Sequence, residues 1–240
     1  MDKKIADEIL AQTRRNYDDF AESFARTREY VPDSIAGLMA NIAKKGDKVL
    51  DIGCGNGRLF SFFDGRGASY VGIDNSQKLV NIAQENNPGA TFMVGDALAL
   101  PFSAGEFDLA VSSAVLHHIP SKAYRQKFFQ EARRILKAGG CFVVLVWDLR
   151  LPIMIKQKKW KLLQKFAKTQ IKIALGAAKL DFGDVFISWQ NQYQRYHRMF
   201  SLRELQNLAK SAGFAIEKFG ALPQGEKEQN LYIIAKKMQN

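Results

Sequence analysis

The feature that most constrains the fold of this chain is a glycine-rich segment from Asp51 to Gly57, which reads Asp-Ile-Gly-Cys-Gly-Asn-Gly. An apolar segment at residues 48–52 predicts a strand before it, and residues 58–63 predict a helix after it. Glycine adopts the backbone angles that such a turn needs, and its lack of a side chain lets a ligand approach the backbone. Strand, glycine loop and helix in this order predict a binding loop at the carboxyl edge of a parallel sheet.

The segments after this loop alternate between strands and helices. Apolar runs predict strands at residues 69–73, 91–94, 107–112 and 141–147, with helices at 76–86 and 121–136. This alternation predicts an α/β fold with a parallel sheet and right-handed crossovers. Residues 214–219 and 231–235 predict a final pair of strands joined by a polar loop, which favours an antiparallel arrangement.

The length of 240 residues predicts one domain, residues 1–240, built from four segments. We expect N-terminal helices over 1–45, a ligand-binding core over 46–150, a basic helical insert over 151–190, and a helix with the last two strands over 191–240. The insert is unusual because Arg150 to Lys179 contains nine Lys or Arg residues and no Asp or Glu. Its apolar residues, among them Trp160, Leu163 and Ile171, recur near helical spacing.

The composition narrows the choice of partners. A net charge of +11 favours an anionic partner, either a nucleic acid or an anionic membrane surface. The apolar stretches are too short to span a bilayer and no signal-peptide pattern is present, so we expect a cytoplasmic protein without stable membrane insertion. Two cysteines and three histidines without a Cys-x-x-Cys motif predict no metal site.

Acidic residues stand at the ends of three successive predicted strands. A dinucleotide site would need a glycine where Arg58 stands, whereas Asp51 beside the loop suits a ligand with an ammonium group. Asp74 can accept hydrogen bonds from two ribose hydroxyls, and Asp96, followed by Ala97, can accept from an adenine amino group. The three acids together predict a site for S-adenosyl-L-methionine, which carries all three groups.

The glycine loop, Asp74 and the Asp96-Ala97 pair resemble the motifs of class I S-adenosylmethionine-dependent methyltransferases of the type 11 kind, over about residues 48–147. The resemblance implies a Rossmann-like fold, with a seven-stranded, mostly parallel sheet, an antiparallel last strand and helices on both faces. It implies a methyltransferase that uses S-adenosyl-L-methionine as co-substrate. The cofactor-binding residues that we assign on this basis are Tyr17, Arg28, Asp51, Gly53, Gly55, Gly57, Asp74, Asn75, Asp96, Ala97, Ser113 and Val115.

A narrower resemblance extends over nearly the whole chain. Its motifs are Tyr17-Asp18-x-Phe20-Ala21 with Thr27-Arg28, Ser113 to His118, Trp147, Asp184 to Trp189, and Arg195-Tyr196-His197. Together they resemble the tRNA methyltransferases that esterify 5-carboxymethyluridine at the wobble position. The chain departs from that pattern at Val31-Pro32, where the family has Trp-Pro, at Ser188, where it has proline, and in lacking a second tyrosine before His197.

This resemblance implies tRNA modification by an RNA-binding enzyme. A carboxylate acceptor is ionised at neutral pH and needs no general base, but it needs orientation and a cation. We assign that cation to Arg195 or Arg28, and the histidines orient the acceptor or contact a base or phosphate; the catalytic candidates are Arg28, His117, His118, Arg195 and His197. The partners implied are tRNA, whose anticodon stem-loop the basic insert contacts through phosphates, and a small zinc-binding activator protein.

Two other functions remain open from the residues alone. The first is methylation of a small molecule or lipid, in which His117 or His118 acts as general base toward a hydroxyl or enol. The second is a non-catalytic, S-adenosylmethionine-binding peripheral membrane protein whose basic insert binds anionic lipid.

Overall fold

The computed structural model describes residues 1–224 and 228–239. The described strands are β1 Lys48–Ile52, β2 Ser69–Asp74, β3 Thr91–Val94, β4 Phe107–Ser113, β5 Leu136–Trp147, β6 Asp184–Trp189, β7 Tyr193–Arg198, β8 Phe214–Gln224 and β9 Glu228–Lys237. The described helices are α1 Lys3–Asp19, α2 Ala21–Arg26, α3 Asp33–Ala40, α4 Phe60–Asp64, α5 Gln77–Asn86, α6 Lys122–Ile135, α7 Leu151–Lys156, α8 Trp160–Ala174 and α9 Leu202–Ser211.

Seven of these strands form one sheet in the order β3-β2-β1-β4-β5-β9-β8. Strands β1 to β5 pair in parallel, and β9 runs antiparallel to both of its neighbours, β5 and β8. The prediction of a mostly parallel sheet with an antiparallel last strand is confirmed. Strands β8 and β9 extend further than predicted, so only residues 225–227 of the polar loop expected over 220–230 lie between them, outside the described residues.

Alternate residues of each central strand enter two different apolar clusters. In β5, Phe142 and Val144 belong to a cluster with Phe128 of α6, whereas Val143 belongs to a second cluster with Phe63 of α4. Because side chains alternate between the faces of a strand, the two clusters lie on opposite faces of the sheet. Helices therefore cover both faces, as predicted, and both faces of the central strands are apolar.

Serine caps set where three of the helices begin. The hydroxyl oxygens of Ser76, Ser121 and Ser201 accept hydrogen bonds from backbone N–H groups three residues later, in α5, α6 and α9 respectively. Such a cap satisfies a donor that has no partner within the helix and stabilises it by roughly 1 kcal/mol. The cap at Ser76 fixes the start of α5 three residues after β2 ends, at the carboxyl edge of the sheet.

A second, two-stranded sheet differs from the sequence prediction. Residues 184–189, which we placed in the helical insert, form β6, and they pair antiparallel with β7 from Asp184 opposite Arg198 to Trp189 opposite Tyr193. The strands are joined by a turn in which Gln190 and Asn191 both have positive φ. This hairpin matters for function because β7 carries Arg195 and His197. Within the described residues, no helix is long and apolar enough to cross a membrane.

Candidate active site

The carboxyl ends of β1, β2, β3 and β4 meet at one edge of the sheet, where the glycine loop lies. Gly53, Gly55 and Gly57 all have positive φ, which favours glycine. A Cβ atom on Gly53 would overlap the side chain of Val115, and one on Gly57 would lie 2.6 Å from Cζ of Phe92. The loop backbone is therefore packed closely from below, and glycine is required for space as well as for conformation.

Asp74 is held rigidly at the end of β2. One carboxylate oxygen accepts a hydrogen bond from the backbone N–H of Gly55 at 2.9 Å, and the other accepts from the N–H of Ser76 at 2.9 Å. Burial raises the pKa of Asp74, and the hydrogen bonds from Ser76 and Gly55 oppose that rise. A carboxylate oxygen with one such bond retains a lone pair for a ligand hydroxyl, and Asp74 lines the cleft described next.

An open cleft lies along this edge. It is lined by thirteen of the residues that the sequence predicted for the site: Tyr17, Arg28, Gly53, Gly55, Asp74, Asn75, Asp96, Ala97, Ser113, Val115, His117, His118 and Arg195. The closely packed glycine backbone and the Asp74 lone pairs fit S-adenosylmethionine, whose adenosine needs both features.

Three of the predicted site residues do not line the cleft, and Asp51 is one of them. Its side chain is 2% exposed, and it lies beneath the loop, where the hydroxyl of Tyr70 donates a hydrogen bond to Oδ2 at 2.7 Å. Burial raises the pKa of Asp51 to about 7. Asp51 does not line the cleft, so the expected contact with the ligand ammonium group stays a prediction. Gly57 and His197 also lie outside the cleft lining.

His118 is fixed in one tautomer by two partners. Its Nδ1 lies 2.8 Å from the carbonyl oxygen of Tyr196, which can only accept, so Nδ1 carries the proton. Its Nε2 therefore accepts the hydrogen bond from the Tyr17 hydroxyl, also at 2.8 Å. Burial, together with the charge of Arg195, lowers the pKa of His118 to about 3. Both ring nitrogens are occupied, and the ring is neutral at physiological pH.

His117 and His197 stack on each other with ring centroids 5.0 Å apart, and both also lie against the ring of Trp147. The Nδ1 of His117 lies 3.5 Å from the backbone N–H of Trp147, and the Nδ1 of His197 lies 3.1 Å from the carbonyl of Arg195. The Nε2 atoms of both rings are buried without a hydrogen-bond partner. Burial lowers the pKa of each ring well below its usual value.

Ring nitrogens of the three histidines lie within 4.8 Å of one another, which is close enough for them to ligate one metal ion. Two observations oppose it. Both nitrogens of His118 already take part in hydrogen bonds, and the positive charge of Arg195 acts on all three rings. A divalent cation would add charge beside a buried guanidinium, so we assign no metal to this cluster.

Arg195 is the buried cation of the site. Its side chain is 3% exposed, and its guanidinium carbon lies 4.7 Å from the ring centroid of Trp189 and 5.5 Å from that of Trp147. Arg125, Arg150 and Arg198 each pair with a carboxylate. Across residues 1–224 and 228–239, no carboxylate lies within ion-pair distance of Arg195. Its Nε is also buried without a partner.

Several residues of the cleft were not singled out from the sequence. Arg58 lines it beside Arg28, although in the sequence Arg58 stood out only as the residue in place of a glycine. Phe24 lines it from α2, where it packs against Tyr17 and beneath the Arg28 guanidinium. The signal for Arg58 was available, because a cation beside the glycine loop can bind the carboxylate of a methionine moiety.

Comparisons with known proteins agree with this geometry. The family described as methyltransferase domain matches residues 50–144. A protein of Encephalitozoon cuniculi named as a methyltransferase is 30% identical over 93% of this chain and 94% of its own length. The chain belongs to the class I methyltransferases that use S-adenosylmethionine, and it is an enzyme of that class.

Two further relatives are named for one substrate. The tRNA (carboxymethyluridine(34)-5-O)-methyltransferase of Schizosaccharomyces pombe is 28% identical over 92% of this chain and 94% of that protein. The protein of the same activity from Xenopus tropicalis, alkbh8, is 35% identical over 67% of this chain, which spans only 25% of that longer protein.

Solved structures show the same fold. An S-adenosylmethionine-dependent methyltransferase of Methanosarcina mazei superposes with a TM-score of 0.70 at 24% identity, over 85% of this chain and 98% of that chain. A Haloferax volcanii methyltransferase, solved in complex with the Trm112 methyltransferase activator, superposes with a TM-score of 0.65 at 18% identity, over 95% of this chain and 98% of that chain.

Proposed function

We propose that this enzyme methylates the carboxylate of 5-carboxymethyluridine at the wobble position of tRNA. The observation that carries the proposal is Arg195, a buried guanidinium in the cleft with no carboxylate in ion-pair distance within the described part of the chain. An unpaired buried charge costs several kcal/mol, and an anionic ligand offsets that cost. The site thus favours an acceptor that carries a negative charge.

The histidines support the same kind of acceptor. A hydroxyl or enol acceptor needs a general base with a pKa near the working pH. His118 has a pKa of about 3 and both ring nitrogens occupied, and burial holds the pKa of His117 well below its usual range. These rings are weak bases, which disfavours the alternative of a small hydroxylated acceptor. A carboxylate needs no base, because its oxygen already carries the lone pair that attacks the methyl group.

We assign the acceptor side of the cleft to Arg195 and His117. The guanidinium can grip a carboxylate through parallel hydrogen bonds. Since the backbone N–H of Trp147 points at Nδ1 of His117, Nε2 of that ring carries the proton and is a donor without a partner. Trp147 and Trp189 lie against the guanidinium and hold it in position. His118 and His197 orient these groups, His118 through Tyr17 and His197 by stacking on His117.

We assign the opposite side to the methyl donor. S-adenosylmethionine supplies an electrophilic methyl group on its sulfonium when bound. Asp74 accepts from the ribose hydroxyls, while Asp96 and the backbone at Ala97 contact the adenine. Arg28 binds the carboxylate of the methionine moiety, and Arg58 adds a second positive charge beside it. The other cleft residues that contact the methyl donor are Tyr17, Asn75, Gly53, Gly55, Ser113 and Val115.

The names of the relatives support tRNA as the substrate, most of all the Schizosaccharomyces pombe protein, because it aligns over nearly its full length. The net charge of +11 suits a polyanionic partner. We include a small activator protein as a partner, supported by the Haloferax volcanii complex. As a tRNA enzyme, the protein acts in the cytoplasm.

The proposal is tested by transfer of a labelled methyl group from S-adenosylmethionine to two tRNAs that differ only at the wobble uridine. One carries 5-carboxymethyluridine and the other an unmodified uridine, and each reaction is run with and without a Trm112-type activator. We expect label only on the carboxymethylated tRNA, and we expect mild alkali to release it, because the product is an ester. Protein that binds S-adenosylmethionine but labels neither tRNA under either condition refutes the proposal.

A further inference from the structure

The insert carries exposed apolar side chains that the methyltransferase fold does not use. Among the described residues, nine large apolar side chains are exposed, and six of them lie between Leu151 and Phe182. They are Leu151, Ile155, Trp160, Ile171, Leu175 and Phe182. Such clustering is unusual, because soluble proteins expose single apolar residues but seldom concentrate them in one segment.

Two of these residues lie on one side of α8, and a third, the C-cap residue Leu175, continues their line. Trp160 and Ile171 are eleven residues apart, about three helical turns, and Leu175 follows one turn later, so they form a line along the helix. Their exposed fractions are 52%, 59% and 76%. We call this line the apolar stripe. It extends over the full length of α8.

A row of lysines runs directly beside the apolar stripe. Lys161, Lys168 and Lys172 are all exposed and follow the same helical spacing, about 60–100° around the axis from the stripe. We call them the lysine row. No acidic residue occurs between Arg150 and Lys179, so nothing in the segment neutralises it. Apolar residues flanked by lysines are typical of helices that lie in the interface of an anionic bilayer.

The opposite side of α8 attaches the helix to the enzyme. Gln170 is buried, donates to the carbonyl of Asp184 at 2.9 Å and accepts from the N–H of Gly183 at 2.7 Å. Lys165 donates to the side chain of Gln194 in β7 at 2.8 Å. Leu162 and Phe166 are half-buried on this same side. Because the helix is anchored without the apolar stripe, the stripe remains available for another partner.

We propose that the apolar stripe and the lysine row of α8 form a docking surface for an anionic lipid membrane. RNA would account for the lysines through its phosphates, but phosphate contacts give no reason for exposed Ile171 and Leu175. A bilayer interface accounts for both, since acyl chains receive the apolar side chains, headgroups attract the lysines, and Trp160 is a residue type that prefers this depth. The surface is peripheral, and it does not depend on which acceptor the active site takes.

The test is flotation of the full-length protein with phosphatidylcholine vesicles that contain about 30% phosphatidylglycerol, compared with phosphatidylcholine alone. Four proteins are compared: the unaltered chain, the stripe variant Ile171→Asn with Leu175→Asn, the row variant Lys161→Gln with Lys168→Gln and Lys172→Gln, and the control Phe219→Asn. Phe219 is 48% exposed in β8, outside the insert. Affinity for S-adenosylmethionine, equal in all four, checks the fold.

We expect the unaltered chain and the control to float with anionic vesicles only. The stripe variant loses at least about 10-fold in affinity at low salt, and the row variant loses about 100-fold. If a variant fails to fold, the fluorescence of Trp160 in the unaltered chain provides a second test. We expect this emission, identified by its loss in Trp160→Phe, to shift to the blue on anionic vesicles. Absence of flotation by the unaltered chain, or flotation of the stripe variant at full affinity, overturns the proposal. RNA binding that only the row variant weakens would then assign the segment to RNA.

Discussion

Replacement of His118 by glutamine tests whether the histidines of the active site are neutral. The ring is 7% exposed and its pKa is about 3, whereas an imidazole in the unfolded chain has a pKa near 6.5. As the pH falls below 6.5, the unfolded chain binds a proton that the folded protein does not. Folding stability therefore rises with pH in this window and falls as the pH drops from 6.5 toward 3.

The size of the effect follows from the difference in pKa. Each pH unit below 6.5 costs about 1.4 kcal/mol per imidazole, so His118 alone contributes a loss of about 1.2 kcal/mol between pH 7.0 and 5.5. Urea unfolding followed by circular dichroism at the two pH values measures it. The unaltered protein should lose about 1.2 kcal/mol more free energy of unfolding than His118→Gln over this interval. The other two histidines and the raised pKa of Asp51 act in both proteins and cancel.

Tyr17→Phe provides the control. It removes the hydroxyl that hydrogen-bonds to Nε2 of His118 but leaves the titrating ring in place. We expect this variant to be less stable at both pH values, while it retains most of the pH sensitivity of the unaltered protein. An equal loss of stability in the unaltered protein and in His118→Gln would show that His118 titrates normally in the folded protein, and it would remove the argument against a general base.

Three further substitutions test the site. Asp74→Ala should lower the affinity for S-adenosylmethionine by about 100-fold or more, as measured by calorimetry, because it removes the proposed ribose acceptor; unchanged affinity contradicts that role. Arg195→Met should keep this affinity within about twofold and lower kcat/KM by about 100-fold. Its melting temperature should not fall, because the change removes an unpaired buried charge; normal turnover would exclude Arg195 from the acceptor site. Gly53→Ala should weaken cofactor binding and lower stability by about 1–3 kcal/mol, since its Cβ would overlap Val115; a variant with normal binding and stability would show that the loop adapts.

The sequence was sufficient for the parallel sheet because its signals are local. Strands β1, β2 and β4 are short apolar runs, each followed by a turn and then a helix, and serine caps such as Ser76 mark where a helix begins. The acid that ends β2 and the acid that follows β3 could also be placed at one edge, since parallel strands must present their carboxyl ends on the same side. Asp74 and Asp96 line the cleft for that reason.

The hairpin of β6 and β7 could not be recognised in this way. In β7 of this hairpin, Arg195 and His197 are buried. They are buried because they belong to the active site, and not because they are apolar. A search for alternating apolar residues therefore does not detect this strand. The motif Arg195-Tyr196-His197 identified the residues by resemblance, but their contact with His117 and Trp147 became visible only in the fold.

The surroundings of Asp51 could not be predicted from the sequence for a similar reason. Its position next to the glycine loop placed it near the ligand in sequence, but Tyr70, nineteen residues later, covers it in the structure. A hydrogen bond between neighbouring strands leaves no signature in either segment. Arg58 is the opposite case, because it lines the cleft but was not predicted as a site residue. The glycine spacing identified it only as the residue in place of a glycine, and its positive charge was not considered.

The central claim is that a carboxylate on the wobble uridine accepts the methyl group. Mass spectrometry of nucleosides from the tRNA of a host strain lacking this protein tests it most directly. We predict that the methyl ester of 5-carboxymethyluridine disappears, that the free acid accumulates, and that the unaltered chain restores the ester while Arg195→Met does not. A nucleoside profile identical to that of the parent strain would contradict the account.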